Sequence, residues 1–286
     1  MSALDLGQRF VHWATVQAHV HALVQIGSQV RRSSEIDAAD LFSDWDFQVI
    51  SSCPGIFEDF EETAARFGCP LVVSVRQGRI GAPRKVTILF PEGELDIVVI
   101  PVLQFNQVSE LVRLRNHLSN ASAMRSLEDL ASVLAGGYRI LKGDSVVIEL
   151  FDFIRSGIRI PHLNDADVRG LANGFVCDYV STIRKIQRGE HLAAQRWLHH
   201  NLAEVNFRLA HELRQRAGLS SFPDARRVER LGDEALRSAL EVQAEVTRDS
   251  LTKAAQKCVV SFRGLIEALL RGDWTWPQLP SNLSTE

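Results

Sequence analysis

Apolar positions Leu6, Phe10, Trp13 and Ala14 recur at helical spacing near the start of the chain, so residues 3–19 are expected to form a helix with one packed side. The run HALVQIG, residues 21–27, breaks that period. Consecutive apolar residues with β-branched members, ended by Gly27, predict a buried strand. After a loop, DFQVI at 46–50 predicts a second strand. Residues 58–67, bounded by Pro54-Gly55 and Gly68, predict a helix. The segment RKVTILFPEGELDIVVIPVL, residues 84–103, holds two β-rich runs around Glu92-Gly93 and predicts a hairpin. Helical spacing returns at 107–119 and 126–135, and Gly136-Gly137 leads into the short strand YRIL. Beyond Gly143 almost every segment reads as helix. Asn164 or Asp165 caps one that runs to Gln187 before Gly189, and others are expected at 190–217, 225–240 and 244–271. The tail WTWPQLPSNLSTE, with two prolines and polar ends, is expected to be irregular.

This change of pattern predicts an α+β protein, with a mixed sheet and helices in residues 1–143 and an all-helical domain in 144–286. With 286 residues, 45% of them hydrophobic, the chain can bury a large core and falls outside the disordered and collagenous classes. A net charge of -3 provides no general attraction for a polyanion. Nucleic acid is not an expected partner, since no basic stripe with interleaved aromatics is present. Cys53, Cys69, Cys177 and Cys258 form no C-x-x-C pair, which argues against a zinc ribbon or redox motif and for a reducing compartment. No apolar run approaches the ~20 residues of a membrane span, and the N-terminus has no basic region followed by an apolar one. A cytoplasmic protein without membrane contact is the expectation.

The chemistry concentrates in three places. Asp44 and Asp46 flank Trp45 at the mouth of the second predicted strand, so alternation directs both carboxylates to one face and the indole to the other. Two like charges so close need a cation, a proton or solvent to offset them. Gly27-Ser28 follows the first strand, where glycine lets backbone approach a phosphate and the serine hydroxyl adds a donor. Asp96 opens the third run. Together the carboxylates supply oxygen ligands for Mg²⁺, which takes one or two carboxylates, substrate phosphates and waters. An Asp-x-Asp by itself is ordinarily a solvated turn before a strand. Glu94 shares the face of Asp96, a position usually held by an exposed strand-end charge. His199, His200, Glu204, His211 and Glu212 make no H-E-x-x-H and read as boundary residues of an amphipathic helix.

Taken in order, the GS of Gly27-Ser28, SDWDFQVI and LFPEGELDIVVIP resemble the DNA polymerase β-type nucleotidyltransferase superfamily, and within it the streptomycin or aminoglycoside 6-adenylyltransferases. GYRIL at 137–141 and RGEHLAAQRWL at 188–198 are similar to segments of nucleotidyltransferases with a helical second domain. The resemblance implies that Gly27 and Ser28 hold the phosphates of ATP, that Asp44 and Asp46 bind Mg²⁺, and that Asp96 is a third ligand or the base. It also implies transfer of AMP to a hydroxyl of a small cationic acceptor of aminoglycoside type, with Glu190 as an acceptor-binding candidate; Glu94, on the strand face of Asp96, is a second candidate read from alternation. This sequence departs from the pattern in having no second glycine soon after Ser28 and a long loop before Asp44. Arg31 and Arg32 near the start of that loop are candidates to grip the triphosphate. A nucleotide-binding relative without turnover, or an enzyme that adenylylates a protein or RNA, are the other readings. The acceptor, the base and the oligomeric state are not set by the sequence.

Overall fold

A computed structural model of the chain describes residues 5–32, 35–57, 59–76, 83–160 and 162–280. The first residues of the expected N-terminal helix, residue 58 of the second and the last six residues of the tail lie outside them. Helix α1, Leu6–Val16, begins at Asp5, whose carboxylate accepts the Gln8 N–H while the Gln8 side chain accepts the Asp5 N–H. Strands β1, Val20–Ile26, and β2, Trp45–Ser51, follow. Next come one helical turn, α2 (Glu61–Ala64), and strands β3 (Val72–Arg76), β4 (Arg84–Phe90) and β5 (Gly93–Pro101). Helices α3 (Val102–Arg113) and α4 (Ala121–Leu134), strand β6 (Arg139–Lys142) and helix α5 (Ser145–Gly157) complete the first of two compact units, Met1–Pro161.

The described strands form one mixed sheet in the order β3-β4-β5-β2-β1-β6, in which β2 and β5 run parallel and the other pairs antiparallel. β1 and β2 are central and covered on both faces, which is why their sequences are nearly continuous apolar runs. On one face Leu23, Phe47, Val49, Val86, Leu95 and Ile97 pack with Leu6, Phe10 and Ala14 of α1 and with Phe57, Phe60 and Phe67. The other face buries Ala22, Val24, Ile26 and Ile50 under Phe105 of α3, Leu127 and Leu134 of α4, and Leu150 and Ile154 of α5. The sheet is therefore the middle layer of a three-layer unit.

Several expectations are corrected here. The unit extends past the expected boundary at 143, because α5 begins at the Asp144 cap and contributes Val147, Leu150, Phe151 and Ile154 to the same core as β1. The expected helix at 58–67 is a single turn. Phe57, Phe60 and Phe67 all turn into one aromatic cluster, with Phe57 and Phe60 stacked at 4.8 Å, and this packing overrides the helical period. Edge strand β3 has no counterpart among the expected elements, although its Val-Val-Ser-Val run is β-rich.

The second unit, His162–Glu286, is helical. Asn164 caps α6 (Asp165–Gln187), and Gly189, with φ of 77°, ends it. The long helix expected at 190–217 runs as α7 (His191–Trp197), a π-helical stretch (Leu198–Ala203) and α8 (Glu204–Arg216). In the 225–240 region only α9 (Glu234–Leu240) is regular, since left-handed residues at 224, 225 and 227 break the start. Thr247 caps α10 (Arg248–Leu270). Phe175 of α6 stacks on Phe262 of α10 at 3.9 Å, and the tail folds Trp276 against that pair while the Trp274 indole N–H donates to Asn173. No helix among the described residues is long and apolar enough to cross a membrane.

Candidate active site

The parallel pairing of β2 with β5 sets Asp46 directly beside Asp96, and Ile26 at the end of β1 lies on the other side of Asp46. Alternation puts Phe47 and Ile97 on the opposite face, in the α1 core, where Trp45 also packs. Register thus brings acidic residues more than forty positions apart to one end of the sheet. Oxygens of Asp44, Glu94 and Asp96 lie within 4.8 Å of one another. Asp46 is not a member of this trio. Its carboxylate rests instead against Gly27, where a Cβ added to the glycine would stand 2.1 Å from Oδ2.

Asp96 is the buried member of the trio, only 5% exposed, and both of its oxygens are engaged. The Thr87 hydroxyl donates to Oδ1 at 2.5 Å, and the Lys85 ammonium lies 2.5 Å from Oδ2. Both donors come from β4. The hairpin pairs Thr87 with Asp96, and Lys85, two residues before it, reaches diagonally across. Neither was singled out from the sequence, although the hairpin centred on Glu92-Gly93 already implies that pairing. The polar Lys85 and Thr87 alternating with apolar Val86, Ile88 and Phe90 were the available signal.

Burial, then the negative charges of Asp96 and Asp44, raise the pKa of Glu94, while Lys85 and Arg76 oppose the shift. The folded chain therefore binds this proton more tightly than the unfolded chain does. That contribution to stability is present below the ordinary value of 4.5 and is lost as pH rises through the raised one. Glu94→Gln should raise the Tm of the ion-free protein at neutral pH by roughly 1–3 °C, and the gain should vanish once pH falls below 4.5. Thermal scans across pH would check this, and a gain that persists in acid would remove charge repulsion as its cause.

Gly27 adopts φ 77° and ψ -158°, a conformation essentially restricted to glycine, and carries the chain from β1 into the short turn Ser28–Val30. The Ser28 hydroxyl is buried and has no hydrogen-bond partner among the described residues. Arg31 is ion-paired with Asp37 and its guanidinium lies against Gly136. The Arg32 N–H donates to Glu35, and its side chain is exposed. Glu190 belongs to the second unit, where it precedes α7 within 3.9 Å of Lys185 and 4.0 Å of Arg188.

Three carboxylates at one end of the sheet form a donor set made only of oxygen, suited to a hard cation. Two oxygens bound to one Mg²⁺ stand about 3–4 Å apart, so groups within 4.8 Å need only side-chain rotation to share an ion. The unpartnered Ser28 hydroxyl, one residue past the Gly27 that abuts Asp46, is a donor without an acceptor. A groove of about 840 Å³ between α3 and α5, lined in part by Glu110, His117, Glu149 and Phe153, includes none of these groups. Donor chemistry, not volume, distinguishes the carboxylate end of the sheet.

No family model and no curated protein matches the chain. Among the solved structures that are similar to it, two cover most of its length. An aminoglycoside 6-adenyltransferase from Bacillus subtilis matches at 14% identity across 96% of this chain and 94% of that one, with a TM-score of 0.38. A nucleotidyltransferase-like protein from Exiguobacterium sibiricum 255-15 matches at 11% identity across 92% of this chain and 77% of that one, with a TM-score of 0.34.

Proposed function

We propose that the chain is a Mg²⁺-dependent nucleotidyltransferase that moves AMP from ATP to a hydroxyl of a small, cationic acceptor and releases pyrophosphate. The observation that carries this reading is the gathering of Asp44, Glu94 and Asp96 within 4.8 Å, with Asp46 in register beside Asp96 and the unpartnered Ser28 hydroxyl on the adjoining turn. Asp44, Glu94 and Asp96 are the residues that would hold the ion, with Asp46 in register beside Asp96. A divalent ion bound there supplies charge neutralisation for the oxygens of the transferring phosphate.

The protein's own groups divide the remaining work. The acceptor oxygen attacks the α-phosphorus, the bond from that phosphorus to the bridging oxygen breaks, and the pyrophosphate departs with its electron pair. The hydroxyl proton passes to one of the carboxylates at the site. Asp96, held by Thr87 and Lys85, fixes the geometry of the ligand set. Gly27 brings backbone close to the phosphates and Ser28 donates to a phosphate oxygen. Arg32 is the arginine available to the triphosphate, since Arg31 is committed to Asp37. The acidic rim favours an acceptor with positive charge.

Incubating the protein with α-labelled ATP, Mg²⁺ and a panel of hydroxylated amines and neutral sugars tests the assignment. Label transferred to a cationic acceptor, with release of pyrophosphate, is the expected result. Absence of transfer to any small acceptor, with label appearing on a protein or an RNA, would move the acceptor to a macromolecule. Ser28→Ala is expected to raise the KM for ATP about ten- to a hundredfold through loss of one hydrogen bond to a charged group. Its Tm should stay level or rise slightly, because a buried hydroxyl lacking a protein partner is removed. An unchanged KM with limiting ATP would take Ser28 out of the phosphate site.

A further inference from the structure

We propose that Lys85 is the resident cation of the acidic site, which holds Asp96 until a divalent ion displaces it. This inference rests on the reading of Asp44, Glu94 and Asp96 as ligands of such an ion. The two contacts of Asp96 differ in kind. Thr87 donates to Oδ1 from a β-branched side chain within the strand, so that bond has little freedom to move. The Lys85 ammonium meets Oδ2 from the end of a flexible stem, and its side chain is 44% exposed against 6% for Asp96. A nearly buried carboxylate needs a partner, and here that partner can withdraw into water.

The Oδ2 contact is therefore the one that Asp96 can give up when a second cation enters the site. Ion binding becomes an exchange in which the divalent cation enters, the Lys85–Asp96 contact breaks, and the ammonium is rehydrated. Without the ion, Lys85 offsets part of the repulsion among the three carboxylates, so the site is held together before loading. Arg76 also acts on Glu94, yet among the described residues it makes no ion pair with the trio. It supplies a field without a competing contact, which separates displacement from general electrostatics.

The full chain is titrated calorimetrically with Mn²⁺ alone, in wild type, Lys85→Met, Arg76→Ala and Asp96→Asn, and the Tm of each is recorded in chelator. Lys85→Gln serves as a second variant should the Met form fold poorly. Removing Lys85 should tighten Mn²⁺ binding about fivefold, the scale of one partly exposed ion pair. The same change should lower the Tm in chelator, and Arg76→Ala should alter affinity less than about twofold. Asp96→Asn should weaken binding. If wild type and Asp96→Asn bind Mn²⁺ alike, or neither binds it, the carboxylate reading fails and the exchange fails with it. If binding depends on Asp96 but Lys85→Met is no tighter than wild type, or no tighter than Arg76→Ala, the carboxylate reading stands and the exchange is overturned.

Discussion

Asp96→Asn is expected to lower nucleotidyl transfer by roughly a thousandfold or more while leaving the Tm within about 3 °C of wild type. Asparagine keeps the shape of the side chain, and its carbonyl oxygen can still accept the Thr87 hydroxyl. The Lys85 ammonium loses a partner, but its exposed end remains hydrated. Glu94 meanwhile loses the like charge that acts on it most strongly, which favours the folded state at neutral pH. Structural costs and gains thus nearly cancel. The chemical loss does not cancel, because one of the oxygen donors within 4.8 Å has lost its charge. Single-turnover rates with α-labelled ATP, set beside thermal scans, check both halves. A variant that unfolds would make Asp96 a structural partner of Lys85, and one that turns over normally would exclude Asp96 from the reaction.

Gly27→Ala should be the most damaging single-methyl change near the site. Its backbone lies in a region essentially reserved for glycine, which costs a β-carbon about 1–3 kcal/mol. The added carbon would also sit 2.1 Å from Asp46 Oδ2 and 2.9 Å from its carboxyl carbon. Overpacking of this kind costs about 1–3 kcal/mol more, so a loss of roughly 2–6 kcal/mol and 4–24 °C in Tm is expected. Asp46 must move away from Asp96, and transfer should fall at least about tenfold as the ligand geometry is lost. Truncating the obstacle separates the two causes. In the double variant Gly27→Ala, Asp46→Ala the overpacking part of the Tm loss should be recovered, whereas the backbone part should remain. A loss that is indifferent to the Asp46 truncation would show that the backbone alone is responsible.

How much of this was readable in advance depended on the range of the interaction. Period and punctuation located β1, β2, the β4–β5 hairpin and α6, because burial of one or both faces writes itself into neighbouring residues. Asp5, Asn164 and Thr247 start helices for equally local reasons. The turn at 61–64 falls short of the expected helix, since no local pattern reports that Phe57, Phe60 and Phe67 will converge. The first unit outruns its expected end for the same reason: α5 looks like any amphipathic helix until its partners on β1 are known.

For the candidate site, the sequence by itself determined which groups lie where along the strands: Asp44 and Asp46 about the start of β2, Asp96 within β5, Gly27-Ser28 after β1, and Trp45 directed to the opposite layer. Local rules suffice for this, since strand alternation decides which side chains share a face. Only the tertiary structure decided which carboxylates meet. Parallel register sets Asp46 beside Asp96, yet the close approach of Gly27 draws the Asp46 carboxylate to the β1 turn, and Glu94 completes the trio with Asp44 and Asp96. It likewise committed Arg31 to Asp37 and brought Lys85 and Thr87 onto Asp96. Side-chain direction and pairing depend on neighbours from distant strands, and a period of two along one strand carries no information about them.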